Sequence, residues 1–384
     1  MTNNNFLVKH SLLILALTFT ITFSTIRLTN LNNIPVYADT FSWLYRINYY
    51  PWIVSENLQN GPVNGKNLKY AGTISYHPGV TLMTFSGIST KIGKKILRNT
   101  DPDYEDCAYE DYTCKYLNTE LFIAKLPLII INAILLGLTI YILSKIFGVS
   151  KLYFFIIVVF WESEFIRASK DLHLDFIFSS FLLASISLLL YGVINNKNRY
   201  IFISGIAMGF VILTRFVGII FLPIIFLALY FLNKKTLIKR FAIFTFSCSL
   251  TFILIYPPMW VSPIDTIKYI INSSIEISDN MNEIYPFHVR YSNGILWYFN
   301  ALKTTFSYVL LTLLPTGIIA SLFFSKNRKI IYTMLFIFIS YILFINLADK
   351  KYIRYLIPAL LGLTAISSIG LNYLLNYFIE KLKR

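Results

Sequence analysis

The sequence has few charged residues, few cysteines and none of the common phosphate-binding loops. Charged residues make up 14% of its 384 positions, and three cysteines are too few for a disulfide scaffold or a cysteine metal cluster. A soluble domain has roughly 25% charged residues. The chain contains no Gly-rich phosphate loop, HExxH motif or nucleophile elbow, which excludes the usual signatures of nucleotide-binding proteins, zinc proteases and serine hydrolases.

Apolar residues are abundant instead, at 56% of the chain, and most of them lie in long blocks. Blocks of this length, separated by short polar segments, are typical of helices that cross a bilayer. The sequence therefore predicts an all-α polytopic membrane protein with about ten transmembrane helices. The blocks are Ser11–Ile26, Leu121–Leu143, Leu152–Phe165, Phe176–Ile194, Tyr200–Leu213, Phe216–Leu232, Phe241–Tyr256, Thr304–Phe324, Ile330–Leu347 and Tyr355–Phe378.

Two long polar segments interrupt the blocks, at residues 27–120 and 257–303. We interpret them as the first and second extracytoplasmic loops of a single membrane domain covering residues 1–384. The first block is predicted to be a retained span. The alternative is a signal peptide cleaved after Ala38, although its apolar part ends far upstream of that position.

The basic residues predict the orientation of the chain. If the amino terminus is cytoplasmic, the short inner segments hold 15 basic residues and one acidic residue, and the outer side holds 19 and 18. This bias follows the positive-inside rule. The formal charge of +15 is therefore a sign of topology rather than of nucleic-acid binding. We expect a multi-pass protein of the cell membrane, with both termini cytoplasmic and an extracytoplasmic site.

The first outer loop contains two candidate site residues. Asp39 lies just beyond the first span in an aromatic setting, where a carboxylate can accept a proton from a hydroxyl; the alternative is a helix cap. His77 lies in the segment Tyr76-His77-Pro78-Gly79, which predicts a rigid corner that starts a helix. The basic residues after this corner also fit an interfacial helix without chemistry.

A dense group of ionisable residues precedes the fourth span and ends in Asp171-Leu172-His173-Leu174-Asp175. Charges beside a membrane usually face a water-filled cavity or pair with one another. The spacing predicts that Asp171 and Asp175 share one helical face and that His173 points away from it. A hydrated helix cap and a divalent-metal site remain alternatives, although the ligand spacing is not diagnostic of a metal.

Cations occur near two other outer ends. Lys350, Lys351, Arg354 and Tyr355 precede the last span, against the positive-inside bias, and phosphate binding would explain them. Arg215 lies in a break between two apolar blocks, either as a further outer cation or as a snorkelling residue at a turn. Cys107 and Cys114 are predicted to form a small-loop disulfide in an oxidising compartment.

Together these motifs resemble GT-C glycosyltransferases, in the branch of the protein O-mannosyltransferases and lipid A aminoarabinose transferases. The resemblance depends on the order of the motifs over residues 10 to about 370. The motifs are Asp39, the His77-Pro78 corner, Ala124-Lys125-Leu126-Pro127, Ser169-Lys170 followed by Asp175, and Lys351-x2-Arg354-Tyr355-Leu356-x-Pro358.

The resemblance implies an inverting enzyme that transfers a sugar from a polyprenyl-phosphate donor to a protein, lipid or glycan acceptor. It implies no certain cofactor, and it leaves a divalent metal open. Gly79 stands where the family often has a second proline, and the short chain argues against an oligosaccharyltransferase. The implied catalytic residues are Asp39, His77 and Asp175, and the implied substrate-binding residues are Tyr76, Pro78, Asp171, Arg215, Lys350, Lys351, Arg354 and Tyr355.

Two other classes of function compete with this interpretation. A transporter or flippase of lipid-linked sugars would share the spans and the basic outer ends. It should also place ionisable residues near the bilayer midplane and on both faces, whereas here they crowd on one face. A noncatalytic envelope scaffold would not need Asp175 beside the hydrocarbon.

Overall fold

The computed structural model describes residues 3–29, 31, 40, 42–48, 79–107, 113–261, 263–264, 266–268, 270–272, 294–325, 327–347 and 352–382. Within these ranges the ordered elements are helical. The helices of eight or more residues are α1 (Asn3–Leu28), α2 (Val80–Thr100), α3 (Leu117–Phe147), α4 (Tyr153–Trp161), α5 (Ser163–Lys170), α6 (Leu174–Ile194), α7 (Asn198–Thr214), α8 (Phe221–Leu232), α9 (Leu237–Ile255), α10 (Gly294–Thr305), α11 (Tyr308–Phe324), α12 (Arg328–Leu347) and α13 (Ile357–Leu382).

The predicted apolar blocks coincide with apolar helices, so the all-α polytopic class is confirmed. The number of crossings, predicted as about ten, stays a prediction. In the described part of the chain, six segments are long and apolar enough to span a membrane: His10–Leu28, Leu117–Phe147, Leu174–Ile194, Lys234–Ile255, Arg328–Asn346 and Ile353–Leu382. Four apolar segments are shorter: Val149–Trp161, Asn198–Thr214, Phe216–Leu232 and Tyr308–Phe324.

Helix α6 lies at the centre of the bundle, and nearly all of its residues are buried. It packs against α3, α7 and α13. Ser185 of α6 donates to the Ser204 carbonyl of α7 at 2.8 Å, and Ser204 donates back to the Ser185 carbonyl at 2.7 Å. Polar side chains among apolar helices need such partners. The first turn of this central helix carries Asp175.

Small residues set the spacing of the helices that lead to Arg215 and Arg354. Gly205 of α7 packs so closely against α9 that an added Cβ would lie 2.3 Å from the Phe244 carbonyl oxygen. Gly370 of α13 meets α11 in the same way, with an added Cβ 1.8 Å from the Gly317 carbonyl oxygen. Close backbone approach through small residues is a common packing mode in membranes. Larger side chains here would push apart the helices that position the two arginines.

Helix α1 contacts the rest of the bundle through α3, and its retention as a span stays a prediction. It packs along α3. The Thr20 hydroxyl donates to the Ala16 carbonyl within α1 at 2.8 Å and lies 3.3 Å from the Ala133 carbonyl of α3. Gly137 of α3 faces the same threonine, since an added Cβ would lie 2.3 Å from its hydroxyl oxygen.

The helix predicted after the His-Pro corner is α2, which begins at Val80. Gly79 precedes it with φ +58°, and an added Cβ would lie 2.3 Å from the Trp43 ring. Proline is fixed near φ −65°. The glycine that departs from the family pattern therefore has a structural reason here. The outer face of α2 exposes Ile88, Ile92 and Ile96 at four-residue spacing, as an interfacial helix should.

The predicted disulfide between Cys107 and Cys114 is confirmed. It closes the segment between α2 and α3 above a buried polar network. Glu120 is fully buried, and it pairs with Lys94 at 2.9 Å and accepts a hydrogen bond from the Tyr104 hydroxyl at 2.8 Å. Burial, together with this adjacent carboxylate, raises the pKa of Tyr104. The network and the disulfide fix the start of α3.

Candidate functional site

The segment between α5 and α6 is extended, which corrects one expectation. Asp171 has φ −78° and ψ 145°, and His173 has φ −144° and ψ 162°. Asp171 and Asp175 therefore do not share a helical face, because α6 begins only at Leu174. His173 does not point away either: its Nδ1 atom lies 2.6 Å from Oδ2 of Asp175.

Asp175 is the centre of a buried ion-pair cluster. Asp175 is only 4% exposed. Oδ1 contacts Nη2 of Arg215 at 2.7 Å, and Oδ2 lies 3.7 Å from Nε of Arg354. Arg215 is itself 6% exposed, so its guanidinium is buried against the Asp175 carboxylate. The cluster joins three segments that are distant in the sequence.

Aromatic side chains also contact the two arginines. The guanidinium carbon of Arg215 lies 5.1 Å from the centre of the Tyr355 ring, and that of Arg354 lies 4.6 Å from the Tyr352 ring. The Tyr341 hydroxyl donates to the Tyr355 carbonyl at 3.1 Å. Contacts of this kind restrict the orientation of an arginine without neutralising it. The two guanidinium groups beside Asp175 are thus each in contact with an aromatic ring.

Described residues of the first outer loop contact two residues that neighbour this cluster in the sequence. The Thr40 hydroxyl is 3.4 Å from Oδ1 of Asp171. The Gly79 backbone N–H donates to the Thr214 carbonyl at 3.3 Å, immediately before Arg215. The loop therefore meets both the acidic segment and the break that carries Arg215. Six of the predicted site residues lie outside the described residues: Asp39, Tyr76, His77, Pro78, Lys350 and Lys351.

The sequence correctly predicts that the five candidates within the described residues lie at one end of the bundle. It does not identify the other cations at that end. The five are Asp171, Asp175, Arg215, Arg354 and Tyr355. The sequence pattern gives Lys125 only as part of a motif and Arg27 only as the first residue of the outer loop. Both are almost fully buried. The signal that could have found Lys125 is its position inside an apolar block, where a charge is costly and usually functional.

The described part of the site is suited to contact with an anion. Both oxygens of Asp175 face cationic or ionisable partners, at 2.7 Å from Arg215 and 2.6 Å from His173. Across the described ranges, no group of three or more histidine, cysteine, aspartate or glutamate residues could hold a metal ion. The arrangement can instead present two fixed guanidinium groups to a phosphoryl group.

Comparisons with known proteins agree with this architecture. ArnT from Cupriavidus metallidurans in the apo state aligns with a TM-score of 0.57 and 14% identity, over 95% of this chain and 60% of ArnT. The same enzyme bound to undecaprenyl phosphate aligns with a TM-score of 0.56 and 12% identity, over 94% and 60% of the two chains. AglB, the oligosaccharyltransferase of Archaeoglobus fulgidus, in complex with an inhibitory peptide and a dolichol-phosphate, aligns with a TM-score of 0.56 and 12% identity, over 98% and 52%.

These likenesses show the fold. ArnT and AglB are both GT-C glycosyltransferases, so the chain has the GT-C fold, as the motifs predicted. It spans 60% of the length of ArnT and about half of that of AglB. The TM-scores do not separate the aminoarabinose transferase branch from the oligosaccharyltransferases. No protein-family model and no curated protein matches the sequence.

Proposed function

We propose that this chain is a membrane glycosyltransferase that moves a sugar from a polyprenyl-phosphate donor to an acceptor hydroxyl, with inversion at the anomeric carbon. The observation that carries the proposal is the buried cluster of Asp175, Arg215 and Arg354 at one end of a GT-C fold. ArnT bound to undecaprenyl phosphate and AglB bound to a dolichol-phosphate support a lipid-phosphate donor.

In the proposed reaction the acceptor oxygen attacks the anomeric carbon from the face opposite the phosphate. The new carbon–oxygen bond forms as the bond to the phosphate oxygen breaks, and the polyprenyl phosphate leaves with that electron pair. The acceptor proton passes to Asp39. Negative charge therefore grows on the phosphate in the transition state, and nearby cations stabilise that charge.

We assign Arg354, together with Lys350, Lys351 and Tyr355, to the donor phosphate, and Arg215 to an assisting role. Asp175 acts on these arginines rather than on the acceptor, since its oxygens face Arg215 at 2.7 Å and Arg354 at 3.7 Å. Its proposed role is thus to orient the cations. Removal of one such electrostatic contact typically lowers a rate by ~10²- to 10³-fold.

The remaining candidates are assigned to the acceptor side of the same site. Asp39 is the proposed general base. His77 is proposed to contact the reacting groups, and Tyr76 and Pro78 to shape the corner that presents it. Asp171, which contacts Thr40 at 3.4 Å, is proposed to help position the acceptor. The acceptor belongs to the classes protein, lipid or glycan. The acceptor peptide tethered to the Archaeoglobus fulgidus oligosaccharyltransferase supports a peptide acceptor.

We place the site on the extracytoplasmic face of the cell membrane, with both termini in the cytoplasm. The disulfide between Cys107 and Cys114 supports this orientation, because disulfides persist in oxidising compartments. The basic inner segments support it as well. On that face no nucleotide sugar is supplied, so a lipid-linked donor suits the chemistry.

The test is turnover by the full chain in lipid nanodiscs, with a panel of undecaprenyl- and dolichyl-phosphate sugars and with peptide, lipid and glycan acceptors. Release of polyprenyl phosphate is measured. The Asp39→Asn variant is expected to lose transfer and to insert normally, whereas Asp103→Asn, which removes an exposed carboxylate of the same loop, should keep it. Near wild-type transfer by Asp39→Asn would sink the assignment of the base. Absence of turnover with every donor would favour the transporter.

A further inference from the structure

Helices α7 and α9 begin side by side at the end of the bundle opposite Asp175. An added Cβ at Gly205 of α7 would meet Ser247 of α9, and one at Gly209 would meet Thr251. Four residues along α7 thus correspond to four along α9, so the two helices run in the same direction. The same register brings their first residues together. Helix α6 separates this place from Asp175 by about 30 Å, at about 1.5 Å per residue.

The first turns of both helices carry basic residues. Lys197 and Arg199 lie at the start of α7, and Lys239 and Arg240 lie at the start of α9, with no acidic residue in either first turn. Within the described structure the N-cap residues, Lys197 and Thr236, form no side-chain capping hydrogen bond. A helix start is itself positive, so it favours anions over cations. Two neighbouring helix starts with added basic residues therefore favour a bound anion.

Arg240 is the buried member of this group. It is 4% exposed, and its Nη2 atom donates to the side-chain oxygen of Asn196, in the turn between α6 and α7. Its Nη1 atom is also buried and has no hydrogen-bond partner among the described residues. A structural link between α9 and the turn explains the first contact but leaves the second donor unexplained.

The sequence supplies no counter-charge for Arg240 from the helices around it. No aspartate or glutamate occurs between Asp175 and Asp265, a stretch that contains all of α7, α8 and α9 and all of α6 after its first turn. Burial of a guanidinium without a counter-charge is unfavourable. An anion at the two helix starts would supply both the missing charge and the missing acceptor.

The surroundings of the two helix starts favour a lipid over a soluble anion. Ile194, at the end of α6, is 43% exposed, and Ile238, in the first turn of α9, is 73% exposed. Exposed apolar side chains in a membrane protein can contact acyl chains. Basic residues beside them, at one end of the spans, are a common site for anionic lipid head groups.

We propose that the paired starts of α7 and α9 bind the phosphate head group of an anionic phospholipid, with Arg240 as the buried donor and Lys197 and Arg199 as outer cations. The guanidinium groups offer N–H donors to phosphoryl oxygens, and the lysine offers a point charge. The first backbone N–H groups of the two helices can donate to the same oxygens. The site shares no residue with the proposed active site and does not depend on the proposed reaction.

The experiment measures binding to the full chain in detergent solution. The protein is titrated separately with phosphatidylglycerol, phosphatidylcholine and inorganic phosphate; bound lipid is counted by native mass spectrometry, and the melting temperature is recorded. Phosphatidylglycerol should bind and raise the melting temperature. Phosphatidylcholine, whose head group is neutral overall, should bind about tenfold more weakly or less. Binding of inorganic phosphate without binding of phosphatidylglycerol would overturn the lipid as the occupant.

Three variants test which residues form the site. Arg240→Gln is expected to weaken phosphatidylglycerol binding by about tenfold or more, as the loss of one charged contact should. Arg199→Gln should weaken it too, and its exposed position leaves the helices packed. Lys381→Gln is the matched control, because it removes an exposed cation in the last turn of α13; it should bind normally. Wild-type affinity in both arginine variants overturns the proposal. Equal losses in all three variants also overturn it, because they indicate diffuse attraction to the basic end of the bundle.

Discussion

Asp175 and Arg215 are expected to be strongly coupled in stability. Two unit charges about 4 Å apart interact by about 4 kcal/mol at an effective dielectric constant of about 20, and breaking a buried pair by removing one partner costs about 3–5 kcal/mol. Asp175→Asn leaves Arg215 buried without its counter-charge, so we expect a loss in that range. Arg215→Met should lose less, because His173 and Arg354 still face the carboxylate, at 2.6 and 3.7 Å.

The double variant with Asn at 175 and Met at 215 tests this reasoning. It should be more stable than Asp175→Asn alone, because the stranded guanidinium is gone, with a coupling energy of about 3 kcal/mol. The measurement is the free energy of unfolding, from titration of the detergent-solubilised protein with sodium dodecyl sulfate. Combining Asp175→Asn with Arg167→Met, whose arginine pairs with Glu164 instead, is the control and should be additive. If the stability losses of the two single variants sum to that of the double variant within about 0.5 kcal/mol, a direct pair is refuted. Neither Asp175→Asn nor the double variant at 175 and 215 should catalyse sugar transfer.

Two further perturbations follow from other parts of the fold. Gly79→Ala should destabilise the protein by more than about 1 kcal/mol, because an alanine at φ +58° is strained and its Cβ would meet the Trp43 ring; an unchanged melting temperature would contradict this geometry. Lys94→Met should lower the melting temperature, because it leaves the buried Glu120 without the cation that contacts it at 2.9 Å. A second variant that adds Glu120→Gln should recover the melting temperature and so checks the cause.

The helices could be predicted from the apolar blocks. The alternation of basic segments predicted which distant residues share one end of the bundle. Asp175, Arg215 and Arg354 belong to different segments, yet each lies at an outer end in the predicted topology. Which of them pair could not be predicted, because pairing depends on how α6, α7 and α13 pack. Those contacts are set by small residues such as Gly205 and Gly370, whose partners the sequence does not reveal.

The extended segment before α6 was mispredicted for a local reason. The i, i+4 spacing of Asp171 and Asp175 predicts a shared helical face, but Leu172 and Leu174, two positions apart, are both fully buried. A two-residue alternation of apolar and polar side chains is typical of extended backbone. In this segment the alternation in Asp-Leu-His-Leu-Asp was the better indicator of backbone conformation. The extended backbone places His173 beside Asp175.

The backbone hydrogen bond from Gly79 to the Thr214 carbonyl has a consequence for how this chain can be recombined. It joins the first outer loop to the residue just before Arg215, so loop and bundle are not interchangeable modules. A chimera that receives residues 27–120 from a relative keeps this junction only if position 79 still adopts a left-handed conformation. A relative with proline there would need a compensating change around Thr214 and Trp43, and the two segments would then have to be exchanged together.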